Sequence, residues 1–162
     1  MAAVDYFLKL DGIKGESQDS KHKDEIDLES WSWGETQTGT FSGGGGGGAG
    51  KVSMQDFQFV MKVNTSSPKL LKACASGEHI KSAVLTCRKA GKEQQEFLKI
   101  ILSDVLVSSF HTGGSGNGGV VPTDQISLNY AKIEYEYKAQ KTDGTLDGAI
   151  KAGYDLKAMK SI

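Results

Sequence analysis

The chain has 162 residues, a length that suits one domain able to bury about two-thirds of its unfolded surface without disulfides or metals. Its 19 Lys and Arg are balanced by 20 Asp and Glu for a net charge of −1, so there is no basic block to mark a nucleic-acid partner. No run of 18 apolar residues is present, and the opening MAAVDYFLKL lacks a basic leader and is interrupted by Asp5 and Lys9, so neither membrane insertion nor a cleavable export signal is expected. Two cysteines, Cys74 and Cys87, are too few for a disulfide scaffold and read as buried thiols of a reducing compartment.

Helical periodicity is scarce, and short alternating runs rich in Val, Ile, Phe and Tyr recur between turn residues. VDYFLKL places Val4, Tyr6, Leu8 and Leu10 on one strand face, and a polar loop with Gly12 and Gly15 follows. In EIDLESWSWG the apolar set begins on Ile26 and Leu28 and moves to Trp31 and Trp33, a change of parity that needs a bulge or a strand buried on both faces. Trp31 and Trp33 are assigned to packing, and Ser30 and Ser32 then face the other way. Further strands are predicted at residues 52 to 63, 80 to 89, 95 to 110 and 125 to 139, with a short one near 154 to 159. SSPKLLKACASG is the exception: Ser67 as cap, Pro68 at the first position and Gly77 past the end frame one short helix. Leu70, Leu71 and Cys74 form its apolar stripe.

In EFLKIILSDVLVSSF, Phe97, Ile101, Val105 and Val107 alternate one way and Leu98, Ile100, Leu102, Leu106 and Phe110 the other. At roughly 1.5 to 3 kcal/mol per side chain, one wet face would forgo about 6 to 15 kcal/mol, comparable to a whole domain's stability. The pattern predicts a closed or nearly closed β-barrel of two sheets with one short α-helix, packed against copies of itself. ISLNYAKIEYEY repeats the parity change, from Ile126, Leu128 and Tyr130 to Ile133, Tyr135 and Tyr137.

The run FSGGGGGGAGKVSMQ sets Gly45, Gly50 and Lys51 at the spacing of a phosphate loop. Such a loop follows a buried strand, carries Ser or Thr after the Lys and opens a helix. Here a polar segment precedes, Val52 follows the Lys, and the continuation is strand-like, so a loop joining two strands is the reading. HTGGSGNGGVVP has Gly113 two before Ser115 but Asn117 two after it, so it is not a nucleophile elbow. His22, His79 and His111 are scattered, and only the loose set Cys74, His79 and Cys87 approaches metal spacing; buried thiols and a surface imidazole are preferred. Alternating acids at Glu25, Asp27 and Glu29, and at Glu134 and Glu136, mark a solvated or lumenal strand face. No catalytic constellation, cofactor or metal is read.

The ordered segments DYFLKLDGIKGES, EIDLESWSWG, GGGGGAGKV, SSPKLLKACASGEHI, LTCRKAG, VLVSSFHTGGSG and YEYKAQKTDG resemble the Hcp tube proteins of bacterial type VI secretion systems over nearly the whole chain. The resemblance implies a single domain over 1–162, assembled as a homohexameric ring. Such rings stack into a tube that a contractile sheath expels behind a spike protein, and some carry effector proteins in the channel. It implies synthesis in the bacterial cytoplasm, secretion without a signal peptide, and no enzyme activity. A ring-stacking extension then falls around residues 34 to 51, with Gly43, Gly44, Gly45, Gly46, Gly47, Gly48 and Gly50 in it. Ser30 and Ser32 become candidates for the channel face, and Trp31, Trp33, Leu70, Leu71 and Cys74 for the core. The matching is weakest at 116 to 124 and after Gly148. The alternative from a different class is a stand-alone β-barrel binding module that forms no ring.

Overall fold

A computed structural model describes residues 4–39, 51–91 and 93–162. It is mainly β with one short helix: β1 (Val4–Leu10), β2 (Ile26–Asp27), β3 (Ser30–Ser32), β4 (Glu35–Gln37), β5 (Val52–Met54), β6 (Phe57–Lys62), α1 (Ser67–Ser76), β7 (His79–Lys89), β8 (Gln95–Gly113), β9 (Thr123–Gln140), β10 (Leu146–Asp155) and β11 (Lys160–Ser161). The main sheet runs β11-β10-β9-β8-β7-β1-β2, and β9 also takes β6, which takes β3. The strand β9 is long enough to serve two partners, β6 along its first half and β10 along its second.

Of the closed or nearly closed barrel expected from the sequence, the described residues do not form the closed version. The pairing opens between β2, which pairs with β1, and β3, which pairs with β6. At this break the chain steps from one neighbour to the other, with Leu28 N donating to Tyr6 O at 3.0 Å and Glu29 N to Val60 O at 2.9 Å. That step is the parity change of EIDLESWSWG: two short strands with different partners, not one bulged strand. The predicted strand at 52 to 63 likewise divides at Gln55 and Asp56 into β5 and β6. The C-terminal strand near 154 to 159 is replaced by β10, which begins at Leu146.

A bend common to three strands sorts the long apolar runs. In β8 the buried residues are Leu98, Ile100 and Leu102, then Val105 and Val107. Asp104, between the two sets, takes the left-handed φ of 54°, which is uncommon without glycine. Opposite it, β7 changes from Ile80 to Ala83 and Leu85, and β9 from Tyr130 to Ile133. The expectation of two apolar faces on β8 therefore fails: the bend returns both sets to the core, leaving Phe97 and Ile101 half-buried and Leu106 exposed.

Phe57 and Phe59 are buried opposite Leu128 and Ile126. Trp31 stacks on Phe57 at 6.0 Å and meets Tyr6 edge-on at 6.2 Å, contacts that add to the burial of such rings. Cys87 lies in the same core, where burial pushes its thiol up to about 12, and it is inert there.

The residue capping α1 is Ser66, one position earlier than expected, and its side chain makes no capping bond. Ser67 instead donates from Oγ to the buried Asp124 Oδ2 at 2.6 Å, while Gly77 closes the helix with φ 67°. Leu70 and Ala73 enter the core and Cys74 packs partly against it. Leu71 does not, being 54% exposed; one residue after Leu70 it has rotated about 100° off the inward stripe.

The early loop is held down by charge. Arg88, 3% exposed, donates to both carboxylate oxygens of Asp19 at 2.9 Å and to Asp5 at 3.2 Å, with its guanidinium over Phe7. That bidentate grip holds the Asp19 carboxyl down at about 2. His22 is buried, whereas His79 is the exposed imidazole that the sequence suggested. His22 stacks on Phe7 at 4.4 Å, with Nδ1 3.0 Å from Glu25 and Nε2 2.6 Å from Glu96.

Candidate functional site

Alternation along four neighbouring strands builds a polar face on the side of the sheet opposite the core. Ser30, Val60, Gln125 and His111 form one row across β3, β6, β9 and β8, and Ser32, Gln58, Ser127 and Ser109 form the next. Because Trp31, Phe59 and Ile126 point inward between them, these residues have to point out. They line an open depression of about 440 Å³. The lining carries hydroxyls, amides and one imidazole, with no carboxylate and no lysine. Such groups donate and accept hydrogen bonds without the desolvation cost of a charge.

Among the described residues no serine lining this depression hydrogen-bonds His111. Nor do the described residues bring three metal-ligating side chains together. Cys74 lies on α1, Cys87 in the core, and His79 bonds Asp104 at 3.0 Å.

Ser30 and Ser32, expected to face away from the tryptophans, stand on this polar face. Sequence reading missed Gln58, Ser109, His111, Gln125 and Ser127. Their signal was uncharged polar alternation, distinct from the charged alternation of Lys132, Glu134, Glu136 and Lys138 further along β9.

A second feature lies beside it. Among the described residues β4 and β5 pair only with each other, Glu35 opposite Met54 and Gln37 opposite Val52, as a two-stranded ribbon. The glycines Gly43, Gly44, Gly45, Gly46, Gly47, Gly48 and Gly50 lie outside the described residues. Trp33 sits at the ribbon's root, partly buried against the core.

A third feature is an apolar overhang. Beyond the bend, Tyr135 and Tyr137 share the core-facing side of the sheet with Ile133, and across β10 they meet Ala152 and Ile150. Yet Tyr135 is 42%, Tyr137 43% and Ile150 71% exposed.

Residues 7–137 match the family model of the type VI secretion system effector Hcp. The chain belongs to the Hcp family. It is 52% identical over 157 residues to protein hcp1 of Pseudomonas aeruginosa, covering 96% of each chain. Among solved structures, Hcp1 from Salmonella typhimurium is 38% identical and superposes with a TM-score of 0.82 over 99% of this chain and 100% of the other. A type six secretion system protein at 28% identity gives 0.94 over the same shares. A type VI secretion system effector from Yersinia pestis, 33% identical, gives 0.75 over 93% of this chain and 99% of its own. The Hcp fold thus holds for this chain along nearly its whole length.

Proposed function

We propose that this Hcp chain is the tube subunit of a type VI secretion system, made in the cytoplasm and expelled by that system. Six copies form a ring, and rings stack into a tube that passes with a spike protein through a contractile sheath. The observation that carries this reading is the overhang of Tyr135, Tyr137 and Ile150, laid out by the same alternation that builds the core but covered by no described segment. Apolar residues arranged as one patch mark an interaction site, and a copy of the same chain in a closed ring can cover it in every subunit at once. The polar face bearing Ser30 and Ser32 then lines the channel, where small neutral groups receive effector cargo by hydrogen bonds. The β4–β5 ribbon reaches the next ring. The subunit acts as scaffold and carrier, without catalysis.

Native mass spectrometry with negative-stain imaging tests this. The expected result is six copies of the 17.3 kDa chain and ring-shaped particles. A monomer at every concentration would overturn the reading and favour a stand-alone binding module using the 440 Å³ depression.

A further inference from the structure

Among the described residues the ribbon β4–β5 has no ladder to the main sheet, so something other than strand pairing sets the direction in which it leaves. Its two legs are the steps Trp33 to Gly34 and Gln55 to Asp56, joined by Gln55 N donating to Gly34 O at 2.9 Å. Both legs are held by one hydroxyl. Tyr130, 5% exposed on β9, donates from Oη to Gln55 O at 2.8 Å and accepts the indole N–H of Trp33. Burial raises the phenol above its usual range, which keeps the proton that it donates.

The neighbouring residue completes the grip from the opposite face of the sheet. Asn129 Nδ2 donates to Asp56 Oδ1 at 2.9 Å, and Ser108 Oγ donates to Asp56 Oδ2 at 2.6 Å. Ser108 sits at a register shift in β8, between Val107 and Ser109. A bulge of this kind re-aims a side chain, and here the Ser108 hydroxyl meets the Asp56 carboxylate. At the other leg a Cβ on Gly34 would lie 3.2 Å from Gln55 Oε1, the end of a flexible side chain.

We propose that Tyr130, Asn129 and Ser108 form a positioning clamp that fixes the exit angle of the β4–β5 ribbon, so that the ribbon meets its partner as a pre-set arm. The clamp is read from bonds within one chain; its use in ring stacking rests on the function proposed above. Pre-ordering of this kind lowers the entropic cost of association.

The test is amide hydrogen exchange on the full chain and on Tyr130→Phe, which deletes only the hydroxyl. The expected result is exchange about tenfold faster at Glu35–Gln37 and Val52–Met54, with amides of β7 and β8 unchanged. The variant Asp56→Ala, which leaves the core aromatics in place, should give the same local acceleration, and Asp56→Asn, keeping one acceptor oxygen, a smaller one. Equal acceleration in ribbon and core would make Tyr130 a general stability residue and overturn the clamp, as would no change in the ribbon. Sedimentation of wild-type rings reads stacking separately: unstacked wild-type rings with a freed ribbon in Tyr130→Phe sink the stacking role and leave the clamp standing.

Discussion

The strands β8 and β9 present two different surfaces on either side of their bend at Asp104 and Ala131. Before β9 bends, Ile126, Leu128 and Tyr130 are covered by the core, and the outer face is neutral, with Ser127, Gln125, Ser109 and His111. Beyond it, Tyr135 and Tyr137 keep the same apolar side but stay exposed, and the outer face is charged by Lys132, Glu134, Glu136 and Lys99. The alternation is equally apolar on both sides of the bend. It therefore reports which side of a strand is meant to leave water, not whether the same chain supplies the cover.

Leu128→Ala, at a fully buried site opposite Phe57, should lower unfolding free energy by about 2 to 5 kcal/mol, measured by urea denaturation. A loss under 1 kcal/mol would mean that this half is no better packed than the overhang.

Arg88 and Asp19 lie at the charged end, with Arg88 paired across β7 and β8 to Glu96. The Asp19 carboxyl is held at about 2 by Arg88, below its usual 3.8. A depressed carboxyl contributes its stability fully above the higher value, and loses it as pH falls through the lower one. Stability should fall between about pH 4 and 2, and Asp19→Asn should flatten that part of the curve in a circular-dichroism titration. An unchanged acid limb would remove Asp19 from the account.

The smallest effect on folding belongs to the overhang. Ile150→Ser, at a side chain 71% exposed, should shift monomer stability by less than about 0.5 kcal/mol while shifting native mass spectra toward smaller species. Loss of folding without loss of assembly would reverse the assignment of the two halves.

Much of the architecture was legible in the sequence because it rests on period two. The strands β1 and β7 to β9 are long runs with β-branched and aromatic residues, and α1 is framed by Pro68 and Gly77. What sequence could not provide was partner choice. The shift from Leu28 to Trp31 showed that something happens in EIDLESWSWG, but a bulge and an exchange of partners leave the same trace in one dimension. Leu71 fell on the wet side because a stripe of three residues leaves the helix's rotation undetermined. In the candidate site, Ser30 and Ser32 were legible from the tryptophans around them. Gln58, Ser109, Gln125 and Ser127 come from three other strands, and only the registers bring them alongside.

The bend also restricts how this chain can vary in length. Three adjacent strands reverse their facing at one level, near Ser82, Asp104 and Ala131, and a single residue added to any one of them would turn its remaining side chains inside out against two neighbours that had not changed. Tolerable insertions are therefore confined to the connections, such as the segments at 114 to 122 and 141 to 145. Lengthening there alters what the ends of the sheet can reach while the bend keeps its place.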